Sequence, residues 1–140
     1  MLKISDAVNL AFHAVLLLAT RPEGAQLSVQ ELAATLRVSD NHLSKVMQRL
    51  SKAGFVGSRR GPHGGFYLLK DPADIRLSDI YTAIEGPIST ATCLLEKPLC
   101  DGECCLLGNM LSSVHRQIHD QLTGTTLKDV RDKLPCNLFP

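Results

Sequence analysis

Tryptophan is absent from the chain and aromatic residues occupy only 4% of its 140 positions, so any core has to be aliphatic. No stretch approaches the roughly 20 uninterrupted apolar residues that a membrane-spanning helix needs. The marks of a signal peptide are missing too. Residues 10–19 are apolar, but Asp6 precedes them and Arg21-Pro22-Glu23 follows where a small-residue cleavage site would stand. A cytoplasmic location is therefore expected. No nucleophile–histidine–acid set and no phosphate-binding loop can be defended, because Gly64-Gly65 reads as a hairpin feature, and no enzyme is expected.

Acidic charge is scarce in one region above all. Residues 32–70 carry seven basic side chains, Arg37, Lys45, Arg49, Lys52, Arg59, Arg60 and Lys70, against the single acid Asp40, a net +6 in a chain whose total is +1. The binding field is local, so the near-neutral total conceals it.

What is present in that region, residues 28–69, is a sequence of caps and stripes. Ser28 can cap a helix, with Glu31 three residues on to complete a capping box. Leu32, Ala33 and Leu36 form the apolar stripe, and Arg37-Val38 a short turn. Ser39 caps a second helix over about 40–53, with Leu43, Val46, Met47 and Leu50 at i, i+3, i+4 and i+7. Two short helices joined in this way have the spacing of a helix-turn-helix. Gly54 suits the left-handed end of the second helix. Phe55-Val56 and residues 66–69 read as strands around a tight basic turn, 58–65, whose arginines and small glycines suit approach to a phosphate backbone or a minor groove.

In this geometry the start of the second helix meets base edges. Ser39, Asn41, His42, Ser44 and Lys45 lie there; Asn41 suits adenine, and Lys45 guanine or phosphate. Ser28, Arg49, Arg59, Arg60 and Gly61 complete the candidate DNA-contacting set. Asp40 reads as compensation of the helix dipole.

The remainder frames this module. At 140 residues with 44% hydrophobic content the chain suits one compact domain with an appended element. Residues 5–20 predict an alanine- and leucine-rich helix capped by Ser5 and packed against the helix-turn-helix; Asn9 and His13 share one of its faces. Asp71-Pro72 breaks the pattern, and a further helix from Leu77 ends at Gly86-Pro87. Residues 106–122 repeat apolar positions at Leu107, Leu111, Val114 and Ile118, with Met110 and Leu122 beside them. This stripe suits a symmetric dimer seam, since a helix-turn-helix reading two half-sites needs a two-fold partner. His115 and His119 read as surface residues. A short helix over 126–134 and a tail bearing Cys136, a free thiol, close the chain.

Four of the five cysteines fall within 13 residues, as Cys93, Cys100, Cys104 and Cys105, in the spacing C-x6-C-x3-C-C. Pro98 and Gly102 let the backbone curl between them. Clustered thiolates in a reducing compartment point to a soft-metal site, zinc or an iron–sulfur cluster. Cys104 and Cys105 are adjacent and diverge on a helix, so one of the two is expected to ligate.

These motifs together, SxxxLxKVMxxLxKAGFV from Ser39, RGPHGGFYLLKDPADIRLSDIYTAIEGP from Arg60, and the loop bearing Cys93 and Cys105, closely resemble the IscR/NsrR-type family of bacterial iron–sulfur-linked winged-helix repressors. The likeness runs from Lys3 to about Leu134. It implies a mainly α fold with a small β-hairpin wing, a winged helix-turn-helix plus a long dimerisation helix. By this reading residues 1–87 form the DNA-binding domain, 88–106 the cluster-binding loop, and 107–140 the dimerisation helix and tail. It implies a homodimeric, cytoplasmic transcriptional regulator, a repressor, that binds double-stranded DNA at a palindromic operator, with the helix from Asp40 in the major groove and Arg60 at the minor groove. Cluster ligands would be Cys93, Cys100 and Cys105, holding a [2Fe-2S] or [4Fe-4S] cluster that senses iron, redox state or nitric oxide. Cys100 stands one residue later than the family's middle cysteine, and Gly108 replaces a histidine ligand of some members. Cys104, His13 and Asn9 are the remaining candidates for a fourth ligand. The rival classes are a cluster-free winged-helix regulator and a zinc- or redox-controlled interaction module.

Overall fold

The structure is a computed structural model that describes residues 3–89, 93–103, 105–107 and 109–135. Six α-helices and one antiparallel hairpin follow in the order α1 (Asp6–Ala19), α2 (Val29–Leu36), α3 (Asp40–Lys52), β1 (Val56–Arg59), β2 (Gly65–Leu68), a 3-10 turn (Pro72–Asp74), α4 (Leu77–Glu85), α5 (Met110–Gly124) and α6 (Leu127–Lys133). This is the mainly α architecture with a β-hairpin wing that the sequence predicts.

α1 is the hub. Ser5 caps it, its hydroxyl accepting from the Val8 amide. Nine of its fourteen side chains are buried, since it packs on α2, α3, α4, α6 and β2. A helix that is apolar nearly all round can be stable only where neighbours cover it on every side. Leu17 of α1, Leu32 of α2, Leu43, Met47 and Leu50 of α3, Ile75, Ile80 of α4 and Leu127 of α6 are all sealed from solvent, so one aliphatic core runs from α1 to α6.

The end of α5 is fastened to α4 by backbone as well as by packing. Leu77 N donates to Thr125 O at 3.1 Å and Leu127 N to Ile75 O at 2.8 Å. Arg76 adds a bond from Nη1 to Thr123 O at 2.6 Å. Among the described residues no helix is long and apolar enough to cross a membrane.

Three local expectations need correction. β1 reaches Arg59, paired with Gly65, so Ser58 and Arg59 belong to the strand and the turn is confined to the residues between Arg59 and Gly65. The fifth helix begins at Met110, with Asn109 at its N-cap position, leaving Leu106, 99% exposed, outside it, where apolar spacing alone predicts helix. His115 is 7% exposed and therefore inside. The inward face of α5 is Leu111, His115, Ile118 and Leu122, at intervals of four, three and four, and it takes the histidine with it.

Candidate nucleic-acid interface and thiol pocket

The helix-turn-helix is built by its caps. Ser28 N donates to Glu31 Oε2 at 2.7 Å while Glu31 N donates to Ser28 Oγ at 3.2 Å, closing the capping box at the start of α2. The Ser28 amide and hydroxyl hold the Glu31 carboxyl below the usual carboxylate range. Arg37 makes the turn between helices in the left-handed conformation, φ 58°, and Ser39 caps α3 by accepting from His42 N at 3.2 Å.

α3 then divides cleanly. Leu43, Val46, Met47 and Leu50 face the core. Ser39, Asn41, His42 and Lys45 are exposed at its first turns, with Ser44 half-buried beside them. Polar donors and acceptors therefore stand at the end of the helix that a recognition helix presents to base edges. Arg49, further along, turns back: Nη1 donates to Ile84 O at 3.3 Å, which ties α3 to the last turn of α4.

The wing is fixed to this unit by an extra bridge. Leu27 N donates to Phe66 O at 3.0 Å and Phe66 N to Leu27 O at 2.7 Å, which places the hairpin alongside the entry to α2. Gly65 is required by that closeness, since a Cβ there would lie 2.6 Å from the Leu27 carbonyl atoms. Gly64 is required by the turn, where a Cβ would lie 2.2 Å from Arg59 O. The Arg59 guanidinium lies 5.1 Å from the centroid of the Tyr67 ring, a positioning contact that sequence gave no sign of. Arg60 and Gly61 are exposed at the tip. Lys70, the last basic residue of the segment, sits over Phe55 at 4.8 Å.

The thiols form a second feature. Cys93, Cys100 and Cys105 line one cavity of about 300 Å3, together with Asp101, Asn109 and Ser112 at the root of α5. Asn109 and Ser112 carried no signal in the sequence, because only the fold brings the start of α5 to the loop. None of the three cysteines is in a disulfide; Cys93 and Cys105 are half-buried and Cys100 exposed. Cys104, Gly108 and Cys136 lie outside the described residues.

Asn9 and His13 stand exposed on α1 and do not line this cavity. His13 Nδ1 is 2.8 Å from Asn9 O. A carbonyl oxygen only accepts, so Nδ1 is the donor in this contact.

Among the described residues no three His, Cys, Asp or Glu side chains converge on a point where they would hold one metal ion. A single tetrahedral zinc, with Zn–S near about 2.3 Å, would need its sulfurs within about 4 Å of one another. Three soft donors around one cavity of about 300 Å3 are a donor set of the kind an iron–sulfur centre uses.

Comparison with known proteins bears on the family and the fold. Residues 4–133 match the model of the Rrf2 family, described as iron-dependent transcriptional regulators. A protein of Aquifex aeolicus (strain VF5), described as an HTH-type transcriptional regulator, is 34% identical over 139 residues, covering 97% of this chain and 96% of its own. Among solved structures, CymR (YrzC), the global cysteine regulator of B. subtilis, superposes with a TM-score of 0.80 at 28% identity, covering 96% of this chain and all of that one. IscR of T. potens shares the fold, with a TM-score of 0.71 at 24% identity over 99% of this chain and 93% of its own.

Proposed function

Because the chain belongs to the Rrf2 family of iron-dependent transcriptional regulators, we propose that two copies of it bind a palindromic DNA operator as a repressor, and that an iron–sulfur cluster on Cys93, Cys100 and Cys105 sets how well they bind. The observation that carries the cluster reading is the gathering of these three thiols around one cavity at the root of α5. When bound, the cluster supplies reactivity toward oxygen, nitric oxide or iron limitation.

The chain's own residues do the rest. The thiolates of Cys93, Cys100 and Cys105 tie the loop after α4 to the start of α5. The candidates for a fourth donor are Cys104 and, because His13 lies outside this cavity, His13 of the second subunit; the Asn9 amide is a poorer iron ligand. Met110, 57% exposed, and Val114, 44% exposed, form an uncovered apolar face on the first half of α5, suited to the same face of a second subunit. Ordering the loop fixes these helices and hence the separation of the two α3 helices, a shift of population between binding-competent and incompetent dimers. Ser28, Ser39, Asn41, His42, Ser44 and Lys45 meet the major groove, Arg49 and Arg59 add positive charge nearby, and Arg60 with Gly61 reaches the minor groove.

Anaerobic purification with a visible spectrum, iron and sulfide analysis, and fluorescence anisotropy against duplexes over a salt series tests this. Coloured protein with bound iron and sulfide, and a salt-dependent preference for a palindromic duplex, is expected. Colourless protein without preference over bulk competitor DNA overturns it.

A second reading, a cluster-free regulator working through the thiols themselves, is favoured by the 28% identity to a protein described as a cysteine regulator. It requires colourless protein whose operator affinity changes on thiol oxidation.

A further inference from the structure

A cavity of about 390 Å3 opens on a different side of the fold, between the end of α1, the end of β2 with its 3-10 turn, and α6. Leu18, Leu68 and Pro72 supply an apolar lining, and Arg21, Lys70, Lys128 and Arg131 supply positive charge. Two of these cations are already engaged. Arg131 Nε donates to Asp132 Oδ1 at 3.0 Å, and Lys70 Nζ rests on the Phe55 ring.

Arg21 and Lys128 are not. Glu23 and Asp71 also line the cavity, yet among the described residues neither Arg21 nor Lys128 has a carboxylate within ion-pair distance. Arg21 acts on Glu31, and Lys128 on Asp129, only through space. Arg21 Nε is shielded from solvent with no acceptor in reach among the described residues. That Nε is closed to a ligand as it is to water, so an anion in the cavity would meet Arg21 through the part of the guanidinium that lines it, where a charge-assisted bond can form.

We propose that this cavity binds a small organic anion, a carboxylate or phosphate compound with a short neutral body, on Arg21 and Lys128. The volume lies at the lower end of ligand pockets, and the mixture of an aliphatic lining with few polar anchors is what such sites share. Arg21 follows α1, Lys128 is on α6 and the lining includes β2, so a bound anion clamps α6 to the root of the wing. The consequence for operator binding rests on the function proposed above; anion binding itself does not.

Isothermal titration calorimetry of the full-length protein at constant ionic strength, with citrate and separately with inorganic phosphate, tests the site. At least one probe is expected to saturate with a Kd below about 1 mM. Arg21→Gln and Lys128→Gln should each weaken it about tenfold or more, because each removes a charge-assisted bond, while Lys52→Gln, on α3, leaves it intact. Lys128 is exposed, so its variant keeps the test decisive should Arg21→Gln unfold. Failure of both probes to saturate by about 10 mM, or equal weakening by Lys52→Gln, overturns the site. The assay needs neither DNA nor cluster, so its failure leaves the regulator reading standing.

Discussion

Replacing Gly65 by alanine strikes the seam between the wing and the entry to α2. The added Cβ would lie 2.6 Å from Leu27 C and O and 2.9 Å from Ser28 N, all backbone atoms that cannot rotate away. Relief requires β2 or residues 27–28 to move, and the two hydrogen bonds between Leu27 and Phe66 lengthen or break. Those bonds contribute about 0.5–1.5 kcal/mol each, so the cost is about 1–3 kcal/mol. Overpacking estimates fall in the same range, about 1–3 kcal/mol, and describe the same strain rather than an addition to it. Lower entropy of the unfolded alanine chain returns about 0.4–1 kcal/mol. A net loss of about 1.5 kcal/mol is expected, which for a domain of this size lowers Tm by about 5 °C. Urea denaturation followed by circular dichroism measures it. Because Ser28 and the wing tip would move apart, duplex affinity should fall in the same variant. Stability within about 0.3 kcal/mol of wild type would show that the seam has slack, and the wing would not be locked to α2.

Arg60→Ala should weaken binding to every related duplex and flatten the dependence of log K on log salt by about one unit, as loss of one phosphate contact does; no change in affinity or slope would remove Arg60 from the interface. Ser28→Ala should cost about 1 kcal/mol at neutral pH through loss of the cap. Glu31's folded pKa is depressed by the Ser28 amide and hydroxyl, so its contribution is present above the unfolded-state pKa and lost as pH falls through the depressed value. The variant loses the hydroxyl's bond to the carboxylate but keeps the residue-28 amide, so denaturation at pH 7 and pH 3 should show the gap between wild type and Ser28→Ala narrowing in acid to what the cap bond to Glu31 N contributes; a gap independent of pH would refute the link. Arg49→Met should lose about 0.5 kcal/mol with the bond to Ile84 O. Arg49→Lys, measured beside it by salt-dependent anisotropy, should keep the salt slope but not that stability, and full recovery of both would deny Arg49 its docking role.

Legibility followed the range of the interaction. Ser28 with Glu31, and Ser39 with His42, are bonds across three residues, so the caps of α2 and α3 could be read directly. The stripe of α3 faced inward as its spacing required. Leu106 and Leu107 fit the apolar period and so predict an earlier start than Met110, where α5 begins. His115 reads as a surface residue in the sequence but lies inside, because which face of α5 turns inward depends on its packing against α4, a segment distant in the chain. Arg59 joined a strand through its pairing with Gly65 across the hairpin. Of the cysteine site, clustering and ligand type were visible in the sequence; Asn109 and Ser112 beside the thiols were not.

The sequence by itself determined the helix boundaries of the DNA-reading unit, its concentrated positive charge and the chemical character of the thiol loop, because each depends on residues a few positions apart. Only the tertiary structure decided that Arg49 docks α4, that β2 presses against Leu27 closely enough to exclude a methyl group, and that Arg21 and Lys128, over 100 positions apart, border one cavity. Those relations come from packing separate segments on one aliphatic core, and no local pattern encodes the distance between two segments that meet only there.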